Sequence, residues 1–292
     1  MVEKAVKRVG VVANVRKPDA ADALRRLSAK ARERGMRLVA CDETADGLPD
    51  ADRAAPEAFA SRIDLLIALG GDGTMLHAAR MLDGADVPLL GVNLGSLGFL
   101  TSVTEDELER ALEIVAAGRH TESHRTVALA RLLRDGGSRG PYRALNDIVV
   151  GWGENSRVVT LDLTVSGAPV GTYVCDGLIV STPTGSTGHS LSAGGPVIHP
   201  ECPVFEVIPI CPHTLSHRPM VVPHDALIEI RVARSSKRQL LVIDGQEHQD
   251  VVEGDRIAIE RAPRPVRFVH LPGHAYFSVL RQKLHWRGSS LP

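Results

Sequence analysis

Aromatic side chains are scarce, at 3% of the 292 residues, so any core has to be built from Val, Leu, Ile and Ala. Long apolar runs are missing as well. None approaches the ~20 residues that a membrane-crossing helix needs. Charge of one sign is also lacking, with 34 Lys plus Arg against 35 Asp plus Glu and a formal net charge of -1. A chain whose main partner is nucleic acid or an anionic membrane carries a basic field, so neither partner is expected. Cysteine is limited to Cys41, Cys175, Cys202 and Cys211 with no CxxC, which points to reduced thiols and a cytoplasmic location. The first fifteen residues hold some Lys and Arg but only a short apolar run broken by Gly10, which does not read as a signal peptide. No GxxxxGK[ST] occurs, so a Walker A loop is excluded. What remains is ordinary globular composition, 43% hydrophobic and 24% charged, and a length that predicts about two domains.

The first third alternates strand and helix signals. Val9 to Ala13 is a short apolar run suited to a buried parallel strand. Pro18 and Asp19 then open a stretch with Ala20, Ala23, Leu24, Leu27 and Ala31 at helical spacing, closed by Gly35. Met36 to Ala40, Asp64 to Leu69 and Val87 to Val92 read as further strands, and Thr74 to Leu82 as a helix. Another helix starts at Thr104, where Glu107 completes a capping box, and stops at Gly118. Strands alternating with helices predict βαβ units and a parallel sheet. After about residue 120 the texture changes. Segments 125–133, 143–150, 157–165, 170–175, 178–181, 226–232, 239–243, 256–259 and 266–270 are short and β-rich, as in a β-sandwich. The apolar tail around Tyr276, Phe277, Leu280 and Leu284 reads as a short amphipathic element.

Gly70-Gly-Asp-Gly-Thr74 sits where a strand gives way to a helix. Open α/β sheets bind ligands there, and a helix N-terminus attracts anions. Asp72 would repel a bare phosphate, so in a functional loop it holds Mg²⁺ or takes a proton from an attacking hydroxyl. The alternative is a tight turn in which Asp72 merely caps the helix. The richest segment runs from Asp176 to Gly195. There a strand empties into small hydroxyl and glycine residues, and the amides and hydroxyls of Thr184, Gly185, Ser186 and Thr187 could nest around phosphate or ribose, or form a plain linker. Asn146-Asp147 offers donors and acceptors suited to a ribose diol, or a turn into a strand. Asp244-Gly-Gln246 reads as a hairpin turn. His199, Cys202, Cys211 and His213 are ligand-type residues, but their spacing matches no standard zinc pattern and prolines dominate the stretch, so no structural metal is expected.

Taken together, these segments resemble the NAD kinase family. The residues that carry the resemblance are Leu69 to Thr74, Asn93 to Thr101, Leu145 to Asp147, Asp176 to Pro200, Cys211 to Pro219, Asp244 to Gln246, Tyr276-Phe277 and Lys283 to Trp286. The loop at Gly70 to Thr74 is shared with lipid kinases. The stretches ending at Pro200 and Pro219 are far more specific. The resemblance implies an α/β N-terminal domain with a parallel sheet, Rossmann-like and of the NAD kinase/diacylglycerol kinase type, plus an all-β, sandwich-like C-terminal domain. The expected bounds are 1–120 with 272–292 for the first and 121–271 for the second. It also implies a homodimer or homotetramer, with NAD between the domains and near a neighbouring subunit, and ATP with a divalent cation such as Mg²⁺.

Carried over by position, Asp72 is the expected proton acceptor and Gly73 lets the dinucleotide approach. Asn146 and Asp147 hold the adenosine ribose. Asp176, Thr184 and the stretch Thr187, Gly188, His189, Ser190, Leu191 and Ser192 supply further dinucleotide contacts. His77, Arg157 and Gln246 are peripheral. Two positions depart from the family pattern: Asp147 stands where Glu is usual, and Gly188-His189 where Ala-Tyr is usual. The implied reaction is phosphorylation of the adenosine-ribose 2′-hydroxyl of NAD by ATP or polyphosphate. A non-catalytic NAD(H) sensor and a lipid kinase are the alternatives.

Overall fold

The computed structural model describes residues 6–95, 98–151, 158–214, 216–235 and 238–286. It divides into two compact units, residues 1–124 with 266–292 and residues 125–265.

The first unit begins β1 (Arg8–Ala13), α1 (Ala20–Glu33), β2 (Arg37–Ala40), α2 (Asp42–Asp46), β3 (Asp52–Arg53), α3 (Pro56–Phe59), β4 (Leu65–Gly70), α4 (Asp72–Met81) and β5 (Leu89–Asn93). It continues with β6 (Val103–Thr104), α5 (Leu108–Ala116) and β7 (Thr121–Arg125). Every side chain of β4 is buried, as a strand covered on both faces requires. β1 pairs in parallel with both β2 and β4, and β4 with β5. The α1 stripe at Ala20, Ala23, Leu24, Leu27 and Ala31 is buried at the predicted positions. The capping box at Thr104 and Glu107 forms, closing a single 3₁₀ turn that leads into α5.

The second unit is all β: β8 (Ala128–Arg134), β9 (Gly137–Ala144), β10 (Asp147–Gly151), β11 (Val159–Val165), β12 (Ala168–Cys175) and β13 (Gly177–Ser181). After the short helix α6 (His189–Ser192) come β14 (Val204–Ile210), β15 (Met220–Pro223), β16 (Ile228–Arg234), β17 (Gln239–Ile243), β18 (Glu247–Val251) and β19 (Arg256–Arg261). The chain then returns to the first unit as β20 (Val266–His270) and α7 (Tyr276–Lys283). The first sheet has the order β3-β2-β1-β4-β5-β20-β7, with β6 beside β5. The second unit stacks two six-stranded sheets, β15-β14-β13-β10-β17-β18 and β12-β11-β16-β19-β8-β9. Their facing side chains, among them Ile148, Val150, Val180, Phe205, Leu161 and Ile230, form one core.

The structure splits two expected strands, moves 266–270, expected in the sandwich, into the first unit as β20, and adds one strand that was not expected. Residues 125–133 are not one strand. The chain ends β7 at Arg125 and starts β8 at Ala128, in different sheets. Residues 143–150 are also split, because the chain leaves one sheet of the sandwich at Ala144 and enters the other at Asp147. The proline-rich stretch after Pro200 holds β14, an interior strand in which Pro209 stands opposite Leu178.

Candidate active site

β4 runs into Gly70, Gly71 occupies the N-cap position of α4 in extended conformation, and Asp72 is the first helical residue. The Asp72 side chain does not cap its own helix. Its Oδ2 accepts the Phe99 N–H at 2.9 Å and its Oδ1 the Leu100 N–H at 2.9 Å. A carboxylate has about four lone-pair directions, so two remain for another partner. The loop comes this close only because residue 98 is glycine, where a Cβ would overlap Asp72 Oδ1.

At the same C-terminal edge of the strands lies a cavity of about 560 Å³. Asn14, Arg16 and Lys17 line it from the loop after β1, Asp42 and Glu43 from the start of α2, and Gly71, Gly73, Thr74 and His77 from α4. The loop after β1 is folded on Asn14, whose Oδ1 accepts the Arg16 N–H at 3.2 Å and whose carbonyl accepts the Lys17 N–H at 3.0 Å. His77 Nδ1 lies 3.2 Å from an Arg80 nitrogen. Its surroundings and then the Arg80 charge lower its pKa, with Asp42 opposing. Two cations, a glycine turn and a helix N-terminus facing one cavity suit a polyphosphate. Asn14, Arg16 and Lys17 were not singled out from the sequence, although a basic pair directly after the first parallel strand is a readable signal.

In the second unit the site is built on the outer face of the sheet that contains β10 and β17. Ile148 and Val150 point into the sandwich core, so Asp147 and Val149 point outward. Asn146, Asp147, Val149, Val242, Asp244, Gly245 and His189 line a cavity of about 270 Å³. Asp244 organises it. Its Oδ2 accepts the Leu145 N–H at 2.9 Å, and its Oδ1 accepts the Asn146 and Asp147 N–H groups at 2.7 and 3.1 Å. The hairpin expected at Asp244 to Gln246 does form between β17 and β18. The turn signal hid the second use of the carboxylate. Asp147 is 6% exposed. Burial, and after it the Asp244 charge, pushes its pKa up to about 7. Burial lowers the pKa of His189.

The segment from Thr182 to Ile198 covers this sheet face, and the hydroxyls of Thr182, Thr184, Ser186 and Ser190 turn inward. Thr182 Oγ1 donates to the Leu145 carbonyl, Ser186 Oγ to the Pro183 carbonyl and Ser190 Oγ to Glu206 Oε2. Ser190, expected among the dinucleotide contacts, is therefore fully buried. Gly185 lies so close to Asn146 that a Cβ would overlap its carbonyl oxygen. Thr187, Gly188, His189, Leu191 and Ser192 keep partly or fully exposed surface. Asn146 Oδ1 and Thr184 Oγ1 are buried without a hydrogen-bond partner among the described residues. Buried polar atoms are nearly always paired, so both are candidates for a ligand.

Asp176 is not part of this cluster. It precedes Gly177, which pairs with Gly151, while Asp147 pairs with Ser181 at the other end of the ladder, about 13 Å away by strand rise. Gln246 is half-buried in the hairpin turn. Arg157 lies outside the described residues. Among the described residues no group of three or more His, Cys, Asp or Glu side chains is placed to hold a metal, and all four cysteines are free.

Residues 9–120 match the model of the ATP-NAD kinase N-terminal domain, and residues 145–271 that of the ATP-NAD kinase C-terminal domain. An NAD kinase of Syntrophotalea carbinolica is 40% identical over 282 residues, 96% of this chain and 99% of that protein. An NAD kinase of Magnetococcus marinus is 45% identical over 223 residues, 76% of this chain and 74% of that protein. Among solved structures, yeast NADH kinase complexed with NADH superposes with a TM-score of 0.91 at 27% identity, covering 99% of this chain and 90% of that one. An Archaeoglobus fulgidus NAD kinase in complex with ATP gives 0.77 at 26% identity, covering 96% and 100%. With both domain models matched and a relative 40% identical over nearly its whole length, the chain belongs to the NAD kinase family.

Proposed function

We propose that this chain transfers the γ-phosphoryl group of ATP to the adenosine-ribose 2′-hydroxyl of NAD, giving NADP and ADP. The relatives named above support an NAD-directed kinase over a lipid kinase or a non-catalytic sensor. The observation that carries the reading is the position of Asp72. The only acid of the glycine turn is fixed by two amides from another loop and keeps lone pairs for a substrate hydroxyl.

In this reading Asp72 takes the 2′-hydroxyl proton as the O–P bond forms and the bond to the β-phosphate oxygen breaks. A base so placed contributes ~10²–10⁴-fold, and positioning supplies much of the rest. Asn146 and Asp147 hold the ribose, with Asn146 Oδ1 finding its missing partner there. His189 lines the same cavity, and the backbone from Thr184 to Ser192 follows the dinucleotide. Gly73 allows its close approach, and His77, Arg157 and Gln246 are outlying contacts. Arg16 and Lys17 would take the triphosphate of ATP in the larger cavity.

The donor set there fits a divalent cation that arrives with the nucleotide. Phosphate oxygens would be its main ligands, and the carboxylates of Asp42 and Glu43 are available to its water shell. Such an ion supplies charge neutralisation at the transferring group. A homo-oligomer, dimer or tetramer, belongs to the same reading. A cytoplasmic setting agrees with the four free thiols. The test is a coupled assay of NADP formation from NAD with ATP or polyphosphate as donor. Absence of NADP while calorimetry shows both substrates bound would overturn the proposal.

A further inference from the structure

Glu206 is a buried acid that the reaction described above does not use. It lies on β14 between Ser181 of β13 and Val221 of β15. Phe205 and Val207 face the sandwich core, so Glu206 faces outward with Ile208, beneath the segment that carries α6. It is 0% exposed. Its Oε2 accepts the Ser190 hydroxyl at 2.5 Å, and its Oε1 is buried with no hydrogen-bond partner among the described residues. A carboxyl on such a face costs stability. The single bond it makes runs to the turn that holds Gly188 and His189.

We propose that Glu206 is a positioning residue for the dinucleotide: through Ser190 Oγ it clamps the 188–192 turn to the sheet, and it releases that turn when it loses its proton. The inference rests on the reading of this turn as part of the dinucleotide site. The groups that meet Glu206 are uncharged, namely Ser181 from β13, Val221 from β15, Ile208 from its own strand and Ser190 from α6. Only burial, opposed by the Ser190 bond, sets its proton affinity, and burial wins, pushing the pKa up to about 7. His189 follows the opposite rule, since burial lowers its pKa, so it does not supply a compensating positive charge above neutrality. At acid pH the neutral acid stays dry. As pH rises toward 7 the ionised acid, with no cation among the described residues, gains by admitting water, which lifts the turn.

Hydrogen exchange of the 292-residue chain without NAD, from pH 5 to 9 and corrected for intrinsic exchange, tests this. The amides of residues 188–195 are expected to lose protection by up to about tenfold per pH unit between about pH 5 and 7 in the wild type, and to level off above 7. Glu206→Gln keeps an acceptor for Ser190 and cannot ionise, so its protection stays level. At pH 8.5 its KM for NAD is expected about 3- to 10-fold below that of the wild type, with kcat moved less than about twofold. Equal losses of protection in both proteins would overturn the inference. Should Glu206→Gln not fold, the wild-type series decides alone, and level corrected protection across the range overturns it. A wild type that makes no NADP refutes the kinase reading instead, and leaves the exchange result standing.

Discussion

Asp147 and Asp244 are bonded to each other in both directions: the Asp147 N–H donates to Asp244 Oδ1 at 3.1 Å, and the Asp244 N–H donates to the Asp147 carbonyl at 2.9 Å. The Asp244 negative charge is spent on the three amides of Leu145, Asn146 and Asp147. The second carboxyl, buried beside it, holds its proton up to about pH 7.

A ribose diol is best held by a carboxylate that accepts through both oxygens. Protonation of Asp147 therefore weakens NAD binding, and KM for NAD should climb as pH falls from 7 to 6. In Asp147→Asn this acidic limb should vanish. The stability effect has the opposite sense. The raised pKa means that the folded state binds the extra proton between about pH 4 and 7, so this group lowers stability as pH rises through that window. Denaturant midpoints at pH 5 and pH 8 should differ less in Asp147→Asn than in the wild type.

Asp244→Ala leaves three amides without their acceptor. Charge-assisted bonds contribute about 1.5–3 kcal/mol each when net, so the variant should lose several kcal/mol or fail to fold. Asp244→Asn, which keeps one acceptor oxygen, should fold and bind NAD at least about tenfold more weakly by calorimetry.

Asp72→Asn should retain NAD binding and lower kcat by at least ~10²-fold. The Asn amide places a donor against one of the two loop N–H groups, so circular dichroism should accompany the assay. Gly98→Ala probes the same contact from the other side. Its Cβ would overlap the Asp72 carboxylate, and overpacking of this kind costs about 1–3 kcal/mol. Thermal unfolding and kcat should both fall. Unchanged turnover in either variant would remove Asp72 from the reaction.

Lys17→Ala should raise KM for ATP by about tenfold, the worth of one charge-assisted phosphate contact, while KM for NAD stays within about twofold. Equal shifts in both constants would place the triphosphate elsewhere.

The α/β half was legible because its signals are local. The apolar run of β4, the stripe of α1 and the capping box at Thr104 each announce themselves within a few residues. The sandwich was legible as a class and not in detail. Alternation tells a strand's two faces apart but not which sheet it joins, so the step from Ala144 to Asp147 left no mark. Pro209 hid β14, since proline normally argues against an interior strand, and Glu206 was hidden with it. At the site, Asp72, Asn146 and Asp147 drew notice by residue type and position, and His189 only through the family resemblance. Lys17 and Asp244 did not, because a lysine after a strand and an Asp-Gly in a turn have commoner explanations. Ser190 was carried over from the family pattern, and nothing in its residue type announced that its hydroxyl is bonded to Glu206.

The path of the chain also sets the order in which its halves can mature. The sandwich unit is one continuous stretch, whereas the unit with the glycine turn lacks β20 until residues 266–270 are made. On a ribosome the first 124 residues therefore emerge early and wait, with β7 deprived of β20, its neighbour among the described strands, while the later half can already fold. Premature termination shortly after the sandwich would spare that half and strand the earlier one.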